Sequence, residues 1–316
     1  MKILVVGAGA TGGYFGGRLA QAGRDVTFLV REQRAAALRE RGLRIVGLGE
    51  QTLVEPAVVT AAELKQQYDL VLLTVKESGL AGAIDDMAPA VGPDTLIVPV
   101  LNGMRQIDLL VERFGERRVL GGIALVMTKL DADGDVVRLA DIGELTFGAR
   151  SGGPDPRVQA AAEALSGVGF KAQAIDDIVG AMWAKWAFIV SLGAINTLMD
   201  GTIGEVAAAP GGTRFAESVV AEAASVASAA GHALPERHLD GIRAMLTQTG
   251  SDSTSSLYRD LSAGLPVEAE QVLGDFTARA AAFGVPVPLL DLVTMRLRVH
   301  QLRLGAAVSR RSAPSR

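Results

Sequence analysis

The stretch "KILVVGAGATGGYFGGRLA", residues 2–20, decides the fold. "KILVV" is a short unbroken apolar run, the pattern of a strand covered on both faces. Glycines follow at once, and a helix is expected from about Gly12 to Gln21. Gly7, Gly9 and Gly12 stand in G-x-G-x-x-G spacing. The first glycine permits a tight turn, the second lets the backbone approach a pyrophosphate, and the third lets helix pack on sheet. The helix N-terminus adds free N–H groups and the positive end of a dipole. A glycine-rich turn without a ligand is the bland alternative, but the strand–turn–helix context makes the spacing specific. Gly7, Gly9, Ala10, Thr11 and Gly12 are therefore the candidate dinucleotide contacts.

Outward from this loop, "DVTFLV" (25–30) reads as the second strand, and Arg31 follows it with Arg34 one helical turn on. An NAD site usually has an acid there to hold the ribose 2′-hydroxyl. A planar guanidinium suits a 2′-phosphate instead, so NADP (NADPH) is the expected cofactor. Glu32 lies next door and leaves NAD open, and Arg31 could also be an ordinary solvated charge. Ligands of open α/β sheets sit beyond the carboxyl ends of strands. Lys76 ends "LLTVK" and Asn102-Gly103 ends "PVLNGM", so both positions become candidates. Alone, Asn102-Gly103 would be only a turn.

The first half continues with "REQRAAALRER" as a helix stopped by Gly42, with buried strands at 69–75 and 95–101, and with 118–127 as a further strand candidate. Asp133-Gly134 lies between "LDA" and "DVVRLA" and predicts a hairpin. The pattern implies a doubly wound parallel sheet with an antiparallel edge. The second half reads as helices over 177–199, 212–231, 235–248, 266–283 and 286–303, and no internal repeat is visible. The fold class is α/β: an N-terminal Rossmann-type doubly wound sheet, residues 1–176, plus an all-helical C-terminal domain, 177–316, with a disordered tail from about 305.

Composition narrows the function classes. The chain has 316 residues, 49% apolar, enough to bury a sizeable core. A net charge of −4 argues against nucleic acid, which calls for a basic stripe. No cysteine is present, which removes disulfides, thiolate metal sites and a cysteine nucleophile. His232, His238 and His300 show no ligand spacing, so no metal is expected. The apolar run Ile3–Val6 is too short for a signal-peptide core. The reading is a cytoplasmic protein acting on a small molecule, without nucleic acid or membrane. An apolar helical face such as that of 212–231 makes a homodimer the candidate assembly.

One further stretch carries chemistry. In "MWAKWAFIVSLGAI", residues 182–195, Lys185 is the only charge. Its run Trp186–Ile195 would cover roughly half of a ~30 Å hydrocarbon core at about 1.5 Å per residue, so a buried helix is expected. An ammonium is costly to desolvate. Either Lys185 snorkels from the edge of a core helix, or it has a task. Trp183 and Trp186, three apart, read as packing residues.

"GAGATG" (7–12), "VK" (75–76), "LNGM" (101–104), "MWAKWAF" (182–188), "SSLYRDL" (255–261) and "PVEAEQVLG" (266–274) occur in one order with suitable gaps. Together they resemble the ketopantoate reductase (2-dehydropantoate 2-reductase) family, over nearly the whole chain from Met1 to about His300. The resemblance implies a Rossmann domain followed by a helical one. It also implies NADPH-dependent reduction of ketopantoate to (R)-pantoate in pantothenate biosynthesis. It makes Lys185 the general acid and Glu268 a substrate-binding and catalytic carboxylate. Ser256 and Asn102 become substrate contacts, with Lys76, Arg31 and Asn102 on the cofactor side. Without the resemblance, Glu268 is a solvated charge beside Glu270, and Ser256 belongs to a polar loop or helix cap.

The family carries asparagines four and eight residues after the catalytic lysine, where this chain has Ile189 and Gly193. Asn196, eleven residues on, does not take their place. A site that loses hydrogen-bonding groups loses discrimination, so a less polar 2-oxo acid is the alternative substrate. Two rivals remain: a 3-hydroxy acid or 6-phosphogluconate type of dehydrogenase, against which "LNGM" and "SSLYRDL" argue, and an NADP-binding sensor, against which Lys185 and Glu268 argue.

Overall fold

Strand β1, Lys2–Val6, lies in the middle of a parallel sheet and is buried from Ile3 to Val6. The computed structural model describes the backbone of residues 1–311 and the side chains of residues 1–305. After β1 come α1 (Ala10–Gln21), β2 (Asp25–Leu29), α2 (Glu32–Arg41), β3 (Leu43–Gly47), β4 (Glu50–Val54), β5 (Ala57–Val59) and β6 (Tyr68–Leu73). Then follow α3 (Leu80–Met87), β7 (Val91–Pro99), α4 (Arg105–Phe114), β8 (Gly121–Leu130), β9 (Val136–Gly148), α5 (Pro156–Leu165) and β10 (Lys171–Ala174). Chain contacts group residues 1–101 with 105–178 as one unit, and 102–104 with the residues from Val179 onward as a second.

In the first unit, the parallel sheet has the order β5-β2-β1-β6-β7. The chain builds outward from β1 to β5, then returns to the other side of β1 for β6. The order therefore reverses between β1 and β6, which is where open α/β sheets bind ligands. The antiparallel strands are not an edge of this sheet, as the sequence suggested. They form a second sheet, β10-β9-β3-β4, with β8 also paired to β9. The hairpin at Asp133-Gly134 is present, and β8 pairs antiparallel with β9 from Gly121↔Gly148 to Leu130↔Val136. The β3–β4 hairpin went unread because its two-residue turn is Leu48-Gly49, with φ of 52° and 82°. Such turns usually announce themselves by Asn or Asp at the first position.

A partly buried ion cluster ties α1 to the second sheet. Arg18 of α1 forms a forked pair with Glu50 of β4, and Arg138 of β9 donates to the same carboxylate at 2.8 Å. The Arg18 hydrogen bonds hold the Glu50 carboxyl down to about 2, against the opposing effect of burial. A carboxyl whose folded pKa is depressed contributes stability above its ordinary value near 4.5, and loses it as pH falls towards about 2. Glu50→Gln is therefore expected to cost about 1.5–3 kcal/mol at neutral pH, because two arginines lose a partly buried charged partner. It should also flatten the acid limb below pH 4.5. Urea midpoints measured across that range test this, and an unchanged midpoint at neutral pH would refute it.

The second unit is helical: α6 (Ile178–Met199), α7 (Ile203–Ala208), α8 (Gly212–Ala229), α9 (Glu236–Leu246), α10 (Ser256–Ser262), α11 (Asp275–Ala282) and α12 (Pro288–Arg311). The expected helix over 266–283 is broken in character: a π-helical turn, Glu270–Gly274, precedes α11. Pro266 keeps the chain from turning helical earlier. Helix α12 is described as far as Arg311, within the stretch expected to form the tail from about 305. Residues 312–316 lie outside the described residues.

Helix α6 is long and apolar enough by composition to cross a membrane, yet 56% of its most apolar window is buried inside the protein. Its apolar character is that of a core helix. Trp186 packs edge-on against Phe276 of α11 at 4.8 Å between ring centroids, and Trp183 lies 5.1 Å from Trp186. Helix α12 borrows its cap from α8, where the Glu222 carboxylate accepts from the Leu289 and Leu290 N–H groups at 3.1 Å each.

Candidate active site

The glycine loop follows β1. Gly7 has φ +95°, and its N–H donates to the Leu29 carbonyl at 2.9 Å, which joins the loop to the end of β2. Gly12 packs so tightly that a β-carbon there would lie 2.1 Å from the Gly7 carbonyl oxygen and 2.2 Å from Thr74 Oγ1. Thr74, just past β6, directs its hydroxyl at the Val6 and Gly7 carbonyls, at 2.9 and 3.0 Å. Sequence reading passed over Thr74. Its only signal was a hydroxyl at the carboxyl end of a buried strand.

Gly9 is different. Its φ is −79°, and a β-carbon there would meet nothing within 4 Å. Neither backbone strain nor protein packing asks for glycine at this position. The open space lies at the N-terminus of α1, where Ala10 and Thr11 form the first turn and no side chain caps the helix. A glycine unexplained by its own protein, at an uncapped helix N-terminus, fits close approach by a pyrophosphate.

The two arginines beyond β2 separate. Arg34 is a structural residue: its Nε donates to Ala8 O at 3.1 Å and its Nη2 to Gly134 O at 3.0 Å. Burial lowers its pKa below the ordinary guanidinium value. It braces the glycine loop against the β8–β9 turn. Arg31 is exposed, its side chain makes no hydrogen bond or ion pair among the described residues, and its Nη2 points towards Gly79. Lys76 is likewise exposed, three residues past β6. Gly7, Arg31, Thr74 and Lys76 thus mark the carboxyl ends of three adjacent strands, β1, β2 and β6.

In the helical unit, Lys185 lies on the half-buried face of α6 with Ala181, Ala184, Phe188, Ile189 and Leu192. These positions repeat at helical spacing, so the ammonium is set in an apolar stripe. Burial lowers its pKa to about 8. Gly193, where the family pattern has an asparagine, faces Leu257: a β-carbon on it would lie 3.0 Å from Leu257 Cδ1.

Asn196 is fully buried and its amide is spent on the fold. Nδ2 donates to Gly201 O at 2.8 Å, and Oδ1 accepts from Ser255 N at 2.8 Å. Ser255 is the N-cap of α10, accepting from Tyr258 N at 3.0 Å. Ser256 is the next residue, exposed and not used as the cap. Glu268 is half-buried, and its carbonyl accepts from Val272 N at 3.2 Å. Asn102 is half-buried too, and its carbonyl accepts from Gln271 Nε2 at 2.6 Å. Among the described residues, no three His, Asp or Glu side chains gather as metal ligands.

The family profile described as ketopantoate reductase PanE/ApbA matches residues 3–152, and its C-terminal counterpart matches residues 177–301. The chain belongs to the ketopantoate reductase family. It is an oxidoreductase acting on a CH–OH/C=O pair, in a family that depends on NAD(P). An uncharacterised oxidoreductase, YkpB of Bacillus subtilis, is 32% identical over 95% of this chain and 99% of its own. The 2-dehydropantoate 2-reductase of Mesorhizobium japonicum is 28% identical, over 94% and 97%. The crystal structure of a PanE/ApbA family ketopantoate reductase from Ralstonia eutropha superposes with a TM-score of 0.85 at 27% identity, covering 96% and 99% of the two chains.

Proposed function

We propose that this ketopantoate reductase family member reduces a 2-oxo acid to the 2-hydroxy acid with NADPH, using Lys185 as the proton donor. The observation that carries the reading is that Lys185, the one charged residue in the sequence of α6, lies on an apolar helical face with its pKa drawn down to about 8. A donor titrating near the working pH transfers its proton efficiently. When bound, reduced nicotinamide supplies a hydride to the carbonyl carbon. The residues do the rest. The Lys185 ammonium stabilises negative charge on the carbonyl oxygen and then protonates it. Glu268 binds the substrate and supports catalysis. Ser256 holds the substrate carboxylate, and Asn102 contacts substrate and cofactor. Gly7, Gly9, Ala10, Thr11 and Gly12 take the pyrophosphate, with Lys76 beside them.

Arg31 supports NADPH over NADH because it is an unpaired exposed guanidinium at the end of β2. Arg31→Ala is expected to raise KM for NADPH by roughly 10–100-fold, the worth of one or two charge-assisted hydrogen bonds. KM for NADH should hardly move. Equal effects on the two cofactors would refute the assignment.

Ketopantoate is the first substrate to test, and the reading then places the enzyme in cytoplasmic pantothenate biosynthesis. A second substrate class is favoured by one observation: Phe188, Ile189 and Leu192 share the face of Lys185. That lining suits a 2-oxo acid with an apolar side chain. The test follows NADPH oxidation with ketopantoate, 2-oxoisovalerate and phenylglyoxylate, with Lys185→Met as control. Reduction of ketopantoate alone supports the first class, and reduction of the apolar acids alone supports the second. Tight NADPH binding with no turnover on any of them would refute the reading and favour a sensor.

A further inference from the structure

Glu268 is followed by the π-helical turn Glu270–Gly274, a rare geometry that recurs at functional sites. The Val272 carbonyl in this turn accepts from Trp186 Nε1 at 2.9 Å. Trp186 is the neighbour of Lys185 on α6, so the turn is braced against the helix that carries the lysine. From the same turn Gln271, 2% exposed, reaches the Asn102 carbonyl with Nε2 at 2.6 Å. Only the amide nitrogen can face a carbonyl, which fixes the orientation of the side chain. Its Oε1 is left buried without a hydrogen-bond partner.

The loop meets the turn at a second point. Gly103 has φ +83°, and a β-carbon on it would lie 2.6 Å from the Gln271 carbonyl oxygen. Backbone packs there on backbone. On the far side, the Glu270–Arg298 ion pair, with contacts of 2.7 Å, folds across Gly274, where a β-carbon would lie 2.2 Å from Glu270 Oε2. The turn is therefore held by α6 and α12 and in turn grips the Asn102-Gly103 loop.

We infer that Gln271 is a positioning residue for the reaction, holding the Asn102-Gly103 loop by its main chain against the π-helical turn that follows Glu268. The inference rests on the roles proposed above for Lys185, Glu268 and Asn102. Displacement of a contact group by about an ångström can slow a reaction by roughly 100-fold, so the hold matters to rate more than to folding.

Gln271→Met keeps the length and volume of the side chain and removes the donor. It also removes the orphaned oxygen, while the half-exposed Asn102 carbonyl can take a water. The melting temperature should stay close to that of the unaltered protein. With NADPH and oxo acid saturating, kcat should fall roughly 10–100-fold. Amide hydrogen exchange over residues 101–105 should quicken, with the rest of the chain unchanged. Gly103→Ala disturbs the same loop at its second contact with Gln271, so the double variant should lose little more than either single one. If the unaltered protein reduces no oxo acid, the functional reading fails, and the exchange data still decide whether Gln271 holds the loop. Unchanged exchange over 101–105 in Gln271→Met, faster exchange with full kcat, or fully additive losses would each overturn the inference.

Discussion

Lys185→Met is expected to lower kcat for oxo-acid reduction by roughly 10²–10⁴-fold, the usual contribution of a positioned proton donor, without destabilising the protein. The second half of that expectation is the discriminating one. Lys185 is desolvated on an apolar face, and its pKa has dropped from 10.5 to about 8. At neutral pH the folded protein therefore holds a charge that its surroundings disfavour, at a cost on the order of 3 kcal/mol. Methionine fills a similar volume without charge, so the melting temperature should hold or rise. A lysine that merely snorkelled would give the opposite pattern, with full activity and some loss of packing.

The sign of the pH dependence follows from the same shift. Between about 8 and 10.5 the unfolded chain keeps the lysine proton that the folded chain has released. The unfolded state then binds more protons, so stability rises with pH across this window and levels off above it. Activity runs the other way. The donor must be protonated, so kcat for reduction should fall as pH rises through about 8. Thermal melts and kcat profiles of the two proteins check both limbs. The assignment would be abandoned if Lys185→Met kept kcat within a few-fold of the unaltered enzyme.

Gly12→Ala should abolish measurable NADPH binding and destabilise the first unit, whereas Gly9→Ala should weaken binding and leave the fold intact. At Gly12 the added methyl would lie 2.1 Å from a backbone carbonyl and 2.2 Å from Thr74 Oγ1. Neither neighbour is a flexible chain end, since Thr74 is itself bonded to the carbonyls of Val6 and Gly7. Helix α1 would have to shift, and overpacking of this kind typically costs 1–3 kcal/mol or more. At Gly9 the methyl meets no protein atom within 4 Å and the backbone is already in a region open to alanine. Its melting temperature should be unchanged or slightly raised, because alanine restricts the unfolded chain. NADPH titration by fluorescence, with a melt of each variant, separates the two cases. A Gly9→Ala protein that binds NADPH as tightly as the parent would show that no ligand approaches this turn.

Much of the first unit was legible because its signals are local. A buried strand, a glycine turn and a helix start are each encoded within a few residues. "KILVV", Gly7, Gly12 and the helix stop at Gly42 all fell where that chemistry put them. The β3–β4 hairpin was not legible, since Leu48 takes a left-handed conformation that its side chain does not advertise. Placing the antiparallel strands at the edge of the parallel sheet failed for a different reason. Besides its hairpin partner β8, strand β9 pairs with β3 and β10, drawn from both sides of it in the chain, and no window of sequence records those two partners. Arg31 and Arg34 look equivalent on paper, yet only the fold shows Arg34 bonded to Ala8 and Gly134.

The sequence by itself determined the glycine loop after β1, the family, and the lysine set alone in an apolar helix. These depend on conformational freedom, on spacing and on the cost of a buried charge, all properties of the residues themselves. Only the tertiary structure decided that Gly12 serves packing against Thr74 while Gly9 opens to space. It alone showed that Asn196 is spent on the segment before Ser256, and that Gln271 grips Asn102 from 169 residues away. A hydrogen bond or a steric limit needs a partner atom at a few ångströms, and the fold alone supplies that partner.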